Sequence, residues 1–349
     1  MLRTPPPFSD SLSTKIALLK SKRPAVSFGR LTLESPLILA PMAAITTAPF
    51  RLLMNDLGAG ACVSELVSCH GINYQGDKTL QMLNLDPRET CTGLQLFGED
   101  AKAIARAAVT AQERGPKFID INMGCPVRKV VRKGGGAALL KEIEKIGPFL
   151  ATIRKAVSIP LSIKIRTGPD SENLIADRIV TVAMNEGVEF VAIHGRTAAQ
   201  KYSGFANWNY MEAIASSTTL PIIGNGDLSS PDIVREKLKA TSCKGLMIGR
   251  GATKHPFIFL LPFTMPGEIS FSMNDSVEII QRFAFYLEDH VPSERVFLVQ
   301  FRKLILSMAA GLPGASHFRG EIFRTSTVLE TMNLVKNFFK DGLFGIERS

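Results

Sequence analysis

Cys125 stands where a short, β-rich apolar run ends, Phe118-Ile119-Asp120-Ile121-Asn122-Met123-Gly124-Cys125-Pro126. A cationic, glycine-rich stretch follows at once, Arg128-Lys129-Val130-Val131-Arg132-Lys133-Gly134-Gly135-Gly136. A thiol at a strand end beside a flexible basic loop suits an enzyme that protonates or attacks a polyanionic substrate. A buried structural cysteine is the competing reading, but it needs neither the loop nor the charge. The local sequence offers Cys125 no general base, which weakens a nucleophilic role. A thiol near its reference pKa of about 8.5 keeps its proton at neutral pH and can act as a general acid. Nearby lysine and arginine would lower that pKa.

Other residues carry chemistry of their own. Lys164 interrupts the apolar run Leu161-Ser162-Ile163-Lys164-Ile165-Arg166. A buried lysine without a partner is costly, so an anion or an electron-rich ring should meet it. Stabilising the charge of a reduced flavin and forming a Schiff base are two such roles, and a lysine tip reaching water is the third. His194, in His194-Gly195-Arg196-Thr197, could bond a cofactor or polarise a carbonyl, and Arg196 could meet phosphate; a lone histidine is more often structural. Gln95 presents an amide to a heterocycle edge or to a structural partner. Two turns, Gly224-Asn225-Gly226-Asp227 and Gly249-Arg250-Gly251, offer backbone N–H groups to an anion, and Arg250 adds a charge-assisted fork.

The elements that must position these residues recur along the chain. Apolar runs lie at Leu37–Ala40, Ala61–Ser64, Thr92–Leu96, Phe118–Ile121, Leu161–Ile165, Phe190–Ile193, Pro221–Ile223 and Gly245–Ile248. Amphipathic segments separate them, among them Ala101–Arg114, Lys141–Ala156, Leu174–Glu186 and Ser230–Lys239. Strands alternating with helices imply parallel pairing, and near-continuous apolar strands imply burial on both faces. Eight such units predict a closed α/β (β/α)8 TIM barrel, with a doubly wound open sheet as the alternative. The strands finish in Pro41-Met42, Glu65, Gln95, Asn122 to Cys125, Lys164 and Arg166, His194, Asn225 and Arg250. Polar residues converging from every strand onto one end favour a barrel mouth, where such enzymes keep their active sites. The two glycine turns follow the seventh and eighth strands, the positions where this fold often binds phosphate.

After Gly251 the pattern changes. Asp275–His290, Ser293–Ala310 and Ser316–Lys340 read as helical and strand signals vanish. The expected organisation is a basic N-terminal arm over residues 1–27, a barrel over 28–262 and a small all-helical C-terminal domain over 272–349. The net charge of +9 permits a polyanionic partner without requiring one. Arg3, Lys15, Lys20, Lys22, Arg23 and Arg30 face only Asp10 in the first thirty residues, which reads as a solvated tail or a contact surface. Five scattered cysteines with no C-x-x-C pair fit a reduced, cytoplasmic compartment and no zinc site. No signal-peptide core or membrane-length apolar stretch stands in the sequence, so a soluble protein without a membrane partner is expected.

Taken in order, the motifs resemble the tRNA-dihydrouridine synthase family. Asp120-Ile121-Asn122-Met123-Gly124-Cys125-Pro126 and Arg132-Lys133-Gly134-Gly135-Gly136-Ala137 match its signature. Ala40-Pro41-Met42-Ala43, Val63-Ser64-Glu65, Ile163-Lys164-Ile165-Arg166, His194-Gly195-Arg196-Thr197, Asn225-Gly226-Asp227 and Met247-Ile248-Gly249-Arg250 match in sequence order. The resemblance spans roughly residues 28–335. It implies an FMN-bound barrel reduced by NADPH that reduces the C5–C6 bond of a uridine in folded RNA. It further implies hydride transfer from flavin N5 to C6 and protonation of C5 by Cys125. By the same resemblance Pro41, Met42 and Ala43 lie along the flavin, and Gln95 and Lys164 contact its ring. Asn225, Gly226, Asp227, Gly249 and Arg250 hold the ribityl phosphate region, with His194 a flavin neighbour. Where the family usually has Gly and then Ile-Thr-Asp, this chain has Ala44-Ile45-Thr46-Thr47, which leaves the first loop open.

The leading reading is an RNA-modifying flavoenzyme, with tRNA as the leading substrate and ribosomal RNA as the alternative. The target uridine must leave its stack to reach a barrel mouth. Lys129, Arg132, Lys133, Arg302, Arg319 and Arg324 are the candidate phosphate contacts. An FMN barrel reductase acting on a free pyrimidine or another small enone-like substrate is the alternative. A non-catalytic RNA-binding module on a degenerate barrel is the third.

Overall fold

The computed structural model of the chain describes residues 3–340 and the backbone strand Leu343–Phe344. Eight parallel strands close into a barrel in sequence order: β1 (Leu37–Leu39), β2 (Ala61–Ser68), β3 (Thr92–Phe97), β4 (Phe118–Asn122), β5 (Leu161–Arg166), β6 (Phe190–His194), β7 (Ile222–Asn225) and β8 (Gly245–Ile248), with β8 pairing β1. All pairs are parallel because a helix crosses back between most of them. α1 (Asp10–Ser21) precedes the barrel, and α2 (Ala48–Asp56), α3 (Ala101–Gln112), α4 (Ile143–Ala156), α5 (Ala176–Asn185), α6 (Trp208–Ser217) and α7 (Pro231–Ala240) surround it. The starts follow ordinary capping chemistry. The Asp100 carboxylate accepts from the Ala103 N–H, and the Ser230 hydroxyl accepts from Ile233 ahead of Pro231.

Alternation along the strands sorts the interior into layers. At the closed end Phe118 and Phe190 meet edge to face, with ring centroids 5.3 Å apart, and Phe28 packs 5.5 Å from Phe190. Phe28 comes from a two-stranded hairpin, Val26–Phe28 with Leu31–Leu33, which plugs the bottom of the barrel. Each buried phenylalanine contributes about 1.5–3 kcal/mol, so this plug is a firm floor. Above the floor lies a polar layer of Gln95, Asp120, Asn122 and Ser162, and above that the strands open into a cavity.

The N-terminal residues are not a solvated arm. Ser9 caps α1, and Leu12, Ile16 and Leu19 bury one face of it. The cations of this N-terminal segment meet acids far along the chain: Arg3 lies 2.7 Å from Asp289, Lys15 lies 2.9 Å from Asp275, and Lys22 pairs with Glu268. The helical region comprises α8 (Met273–His290), α9 (Glu294–Ala309), α10 (Ala315–Ile322) and α11 (Val328–Phe338). It is not separately cored. Phe283 of α8 meets Phe50 of α2 edge on, and one apolar cluster runs from β1 and β8 through α2 into α8 and α9. The expected helix Ser316–Lys340 is two, because Thr327 and Glu330 form a capping box that starts α11 afresh. Strand pairing also continues past Gly251, with Phe271–Ser272 antiparallel to Leu343–Phe344. The remainder of the 272–349 expectation, residues 341–342 and 345–349, lies outside the described residues.

Candidate active site

A cavity of about 1050 Å³ opens at the C-terminal ends of the strands. Cys125 lines it, and its loop is held from both sides. The Asn122 Oδ1 accepts from the Cys125 N–H at 2.9 Å, and the Cys125 carbonyl accepts from the Ala137 N–H at 3.0 Å. Gly136 allows that closure. Its φ is +58°, and a Cβ there would stand 2.7 Å from the Cys125 carbonyl oxygen. Burial pushes the thiol pKa up. A backbone hydrogen bond and the charges of Arg166 and Lys164 oppose this, but burial is the largest effect. The thiol therefore holds its proton at neutral pH, as a general acid must.

Below it the polar layer forms a connected chain. Gln95 is fully buried; its Nε2 donates to Asp120 Oδ2 at 2.7 Å, and its Oε1 accepts from Asn122 Nδ2 at 2.9 Å. Ser162 donates to Asp120 Oδ1 at 2.6 Å. Burial raises the Asp120 pKa against the pull of these two hydrogen bonds. Gln95, expected beside a heterocycle, does not line the cavity; both ends of its amide are engaged within the barrel. A glutamine amide takes whichever partners its depth in the barrel supplies, and here these are Asp120 and Asn122.

The remaining expected cofactor contacts share the cavity wall. Pro41, Met42 and Ala43 line one side, and Lys164, His194, Asn225, Gly226, Asp227, Gly249 and Arg250 line the others. Lys164 donates to Asn225 Oδ1 at 3.0 Å, while Asn225 Nδ2 donates to the Met247 carbonyl at 2.6 Å. Burial lowers the Lys164 pKa to about 8, assisted by Arg166 and resisted by Asp120. His194 falls to about 2 through burial first and then the surrounding Lys164, Arg166, Arg196 and Arg250. Its ring is neutral, able to donate from one nitrogen and accept at the other. Gly226, at φ +131°, approaches so closely that a Cβ would stand 2.7 Å from Ala206 Cβ. The Asp227 carboxylate is engaged by Arg196 at 2.7 Å and the Ala206 N–H at 2.7 Å, so this turn faces the cavity with its backbone. Around the wall Lys164, Arg166, Arg196, Lys237, Arg250 and Lys254 stand against the single carboxylate of Asp227, a field that favours a polyanion.

The first loop resolves the departure at Ala44. Ala44 adopts φ +57°, its N–H donates to Glu65, and its carbonyl accepts from Lys303 Nζ at 2.9 Å. A shift of register between Val63 and Leu66 marks the bulge in β2 that carries Glu65. Thr47 donates to Gln300 at 3.2 Å, so α9 holds the same loop twice.

Of the candidate RNA contacts, Lys129, Arg132 and Lys133 are exposed on the short helix Arg128–Val131 and the turn after it. Arg319 on α10 and Arg324 just beyond it are exposed as well. Arg302 is placed differently. It is half-buried and donates from Nη2 to the Thr325 carbonyl at 2.5 Å, tying α9 to the segment before α11. Sequence reasoning did not single out Arg166, Tyr202 or Phe205 as site residues, yet all line the cavity. Arg166 follows Lys164 at the two-residue spacing that returns a strand side chain to the same face, which was the available signal. Tyr202 and Phe205 sit in an irregular loop and carried none.

Comparison with known proteins gives the same chain a lineage. The family model for dihydrouridine synthase matches residues 38–342. A tRNA-dihydrouridine synthase B from Pseudomonas syringae pv. tomato is 36% identical over 331 residues, covering 92% of this chain and 96% of the relative. A probable tRNA-dihydrouridine synthase from Rickettsia prowazekii is 32% identical over 301 residues, covering 84% of this chain and 91% of the relative. Among solved structures, a histamine dehydrogenase from Rhizobium sp. 4-9 superposes with a TM-score of 0.53 at 13% identity, over 70% of this chain and 47% of that one. A 6-hydroxypseudooxynicotine amine oxidase from Pseudomonas geniculata N1 gives 0.54 at 13%, over 72% and 49%. The chain spans about half the length of those two enzymes, and the likeness is one of barrel fold. The sequence match, in contrast, runs through every wall of the cavity, from β1 to the helical region that grips the first loop: the chain belongs to the dihydrouridine synthase family.

Proposed function

We propose that this protein reduces the C5–C6 double bond of a uridine in tRNA to dihydrouridine, with FMN as its resident cofactor and NADPH as the reductant. The observation that carries the reading is a single cavity wall shared by the protonated Cys125 thiol, the half-buried Lys164 ammonium and two glycine turns suited to phosphate. The residues fit FMN. A Cβ at Gly249 would meet nothing closer than Met42 Sδ at 3.7 Å, so backbone is open to a ligand there, and Arg250 adds a charge-assisted contact. The cavity of about 1050 Å³ matches the upper range of small-molecule sites. Asn225, Gly226, Asp227, Gly249 and Arg250 would hold the phosphate end; Pro41, Met42, Ala43, Lys164 and His194 would border the ring. When bound, FMN supplies the hydride delivered to C6.

The chain's own residues do the rest. Lys164 would place a cation against an electron-rich ring, and an anionic ring would offset the burial that lowers its pKa to about 8. Cys125 holds the proton destined for C5, with the charge left on sulfur favoured by Arg166 and Lys164. Asn122 fixes the thiol's loop. The cationic rim draws the RNA backbone, with Lys129, Arg132, Lys133, Arg319 and Arg324 as phosphate contacts, and the uridine enters flipped from its stack. Residues 28–262 then form the catalytic barrel and the helical region from residue 272 the RNA-facing unit. Use of tRNA and a reduced nicotinamide carries a cytoplasmic location with it.

The test is direct. Purified protein with FMN should convert unmodified tRNA transcripts to dihydrouridine with NADPH, read by nucleoside mass spectrometry, and should leave free uridine unreacted. Equal turnover of free uridine would favour the small-substrate reductase instead. Failure to retain any flavin would refute the reading.

A further inference from the structure

The loop between β6 and α6 carries Tyr202 and Phe205 over the cavity, 61% and 86% exposed. The guanidiniums of Arg166 and Arg250 stand over the Tyr202 ring, 5.7 and 5.4 Å from its centroid, while Phe205 is left open. Part of the loop is tied at its start, where the Ala198 and Ala199 N–H groups donate to the carbonyls of Gly168 and Pro169 at 2.9 Å. At its far end Arg196 holds two successive carbonyls. The guanidinium donates from Nε to the Ser203 carbonyl at 3.1 Å and from Nη2 to the Gly204 carbonyl at 2.5 Å. The same Nη2 pairs with Asp227 Oδ1 at 2.7 Å, and Asp227 Oδ2 accepts from the Ala206 N–H at 2.7 Å. One cation, 4% exposed, therefore joins the aromatic loop to the glycine turn after β7.

The joint is incomplete. Arg196 Nη1 is buried and has no hydrogen-bond partner, although Arg196 lines the cavity. A buried guanidinium nitrogen without an acceptor is unfavourable, and an anionic oxygen is the acceptor that would relieve it best. The Gly226–Asp227 turn is where such an oxygen would arrive.

We propose that Arg196 is a positioning residue that makes phosphate occupancy of the turn after β7 set the Tyr202–Phe205 loop. A phosphate at the turn accepts from the free Nη1 and fixes the guanidinium whose other donors hold Ser203 and Gly204. This inference rests on the FMN reading above. It assigns an order of assembly: cofactor first, loop second, RNA last. It also separates the flavin ring from its phosphate, because an anionic oxygen is what the joint lacks.

Hydrogen exchange of the peptide covering residues 197–207 tests this with two probes, FMN and riboflavin, which share the ring and differ in the phosphate. In the unaltered protein FMN should slow exchange at least about tenfold and riboflavin by less than about threefold, the span of ordinary coupling between sites. In Arg196→Lys the FMN-specific part should vanish, since an ammonium can pair with Asp227 but cannot fork to two carbonyls. Arg166→Lys is the control. Arg166 donates to the carbonyls of Thr197 and Lys201 at 2.8 and 2.7 Å, so its loss should loosen the loop in every state and leave the difference between the flavins intact. Equal protection by the two flavins in the unaltered protein would overturn the coupling, whatever the variants do. FMN-specific protection surviving in Arg196→Lys would overturn the assignment to Arg196. A protein that binds neither flavin would overturn the proposed function itself.

Discussion

Asn122→Ala isolates the link between the buried polar layer and the thiol. The side chain makes three hydrogen bonds: Nδ2 donates to Gln95 Oε1 at 2.9 Å, and Oδ1 accepts from the N–H groups of Cys125 at 2.9 Å and Gly124 at 3.3 Å. Gln95 is fully buried, so truncation leaves its oxygen unpaired at a cost of about 1–3 kcal/mol. Cys125 borders the cavity and its N–H regains water, so that bond contributes about 1 kcal/mol, and the longer one less. The total is about 3 kcal/mol. Unfolding entropy for a chain of 349 residues is about 0.7 kcal/mol/K, so thermal unfolding should shift down by about 4 °C. Turnover should fall far more than stability, by about 100-fold, because a displacement near 1 Å at the proton donor is enough for that. The assay is dihydrouridine formation at saturating RNA, at a temperature where the variant is folded by circular dichroism. Asn122→Asp is the partner experiment. Burial favours its neutral carboxyl, which keeps one donor and one acceptor, so its turnover should stay within about tenfold of the parent. Turnover of Asn122→Ala within about twofold of the parent would refute the claim that Asn122 holds Cys125 in place.

Lys164 gives a pH dependence in the flavin-free protein. Its pKa is 10.5 in the unfolded reference and about 8 when folded, so between these values the unfolded chain binds the extra proton and stability rises with pH. Urea midpoints should show Lys164→Met more stable than the parent at neutral pH by up to about 3 kcal/mol, with the gap closing as pH rises through that window; a pH-independent gap would contradict a buried ammonium. Changing Arg132 and Lys133 together to alanine should reduce the slope of log RNA affinity against log salt by about 1.5 while flavin binding stays unchanged. An unaltered slope would remove that turn from the RNA interface. Ala44→Gly should stabilise the protein by about 0.5–1 kcal/mol, because alanine at φ +57° is strained and glycine's extra unfolded-state freedom offsets only part of the gain. Thermal melts that show a loss would mean the loop is not strained there.

The barrel could be read from the sequence because its strands are buried on both faces, which makes each a compact apolar run ending abruptly in a polar residue. The shared cavity wall could be read for the same reason: strand ends in a closed barrel converge whatever the loops do. Side chains whose partners lie far away in sequence could not. Arg302 sits on an amphipathic helix and looks solvated until Thr325 arrives from beyond α10. The cations of the first thirty residues look like an excess because their acids, Asp275, Glu268 and Asp289, lie about 250 residues on in the same chain. The α1 signals are local, with Ser9 before Leu12, Ile16 and Leu19, but three apolar positions on a helix this rich in polar residues make a weak stripe. The plug hairpin has strands of three residues each, too short for alternation to register. Arg196 lay in a recognised motif, yet its contacts run to the carbonyls of Ser203 and Gly204, and a carbonyl leaves no trace in residue type.

The central claim is that Cys125 donates the proton to C5 of a uridine held in this cavity. It is tested most directly by single-turnover reduction of a tRNA transcript in D2O, with FMN reduced beforehand by NADPH. The dihydrouridine product should carry solvent deuterium at C5, where the protein's own acid delivers it. Cys125→Ala should retain FMN and its reduction while product formation falls by about 100-fold or more, the scale of a general acid's contribution. Product formed by Cys125→Ala at the parent's rate, or product without solvent deuterium at C5, would contradict the account.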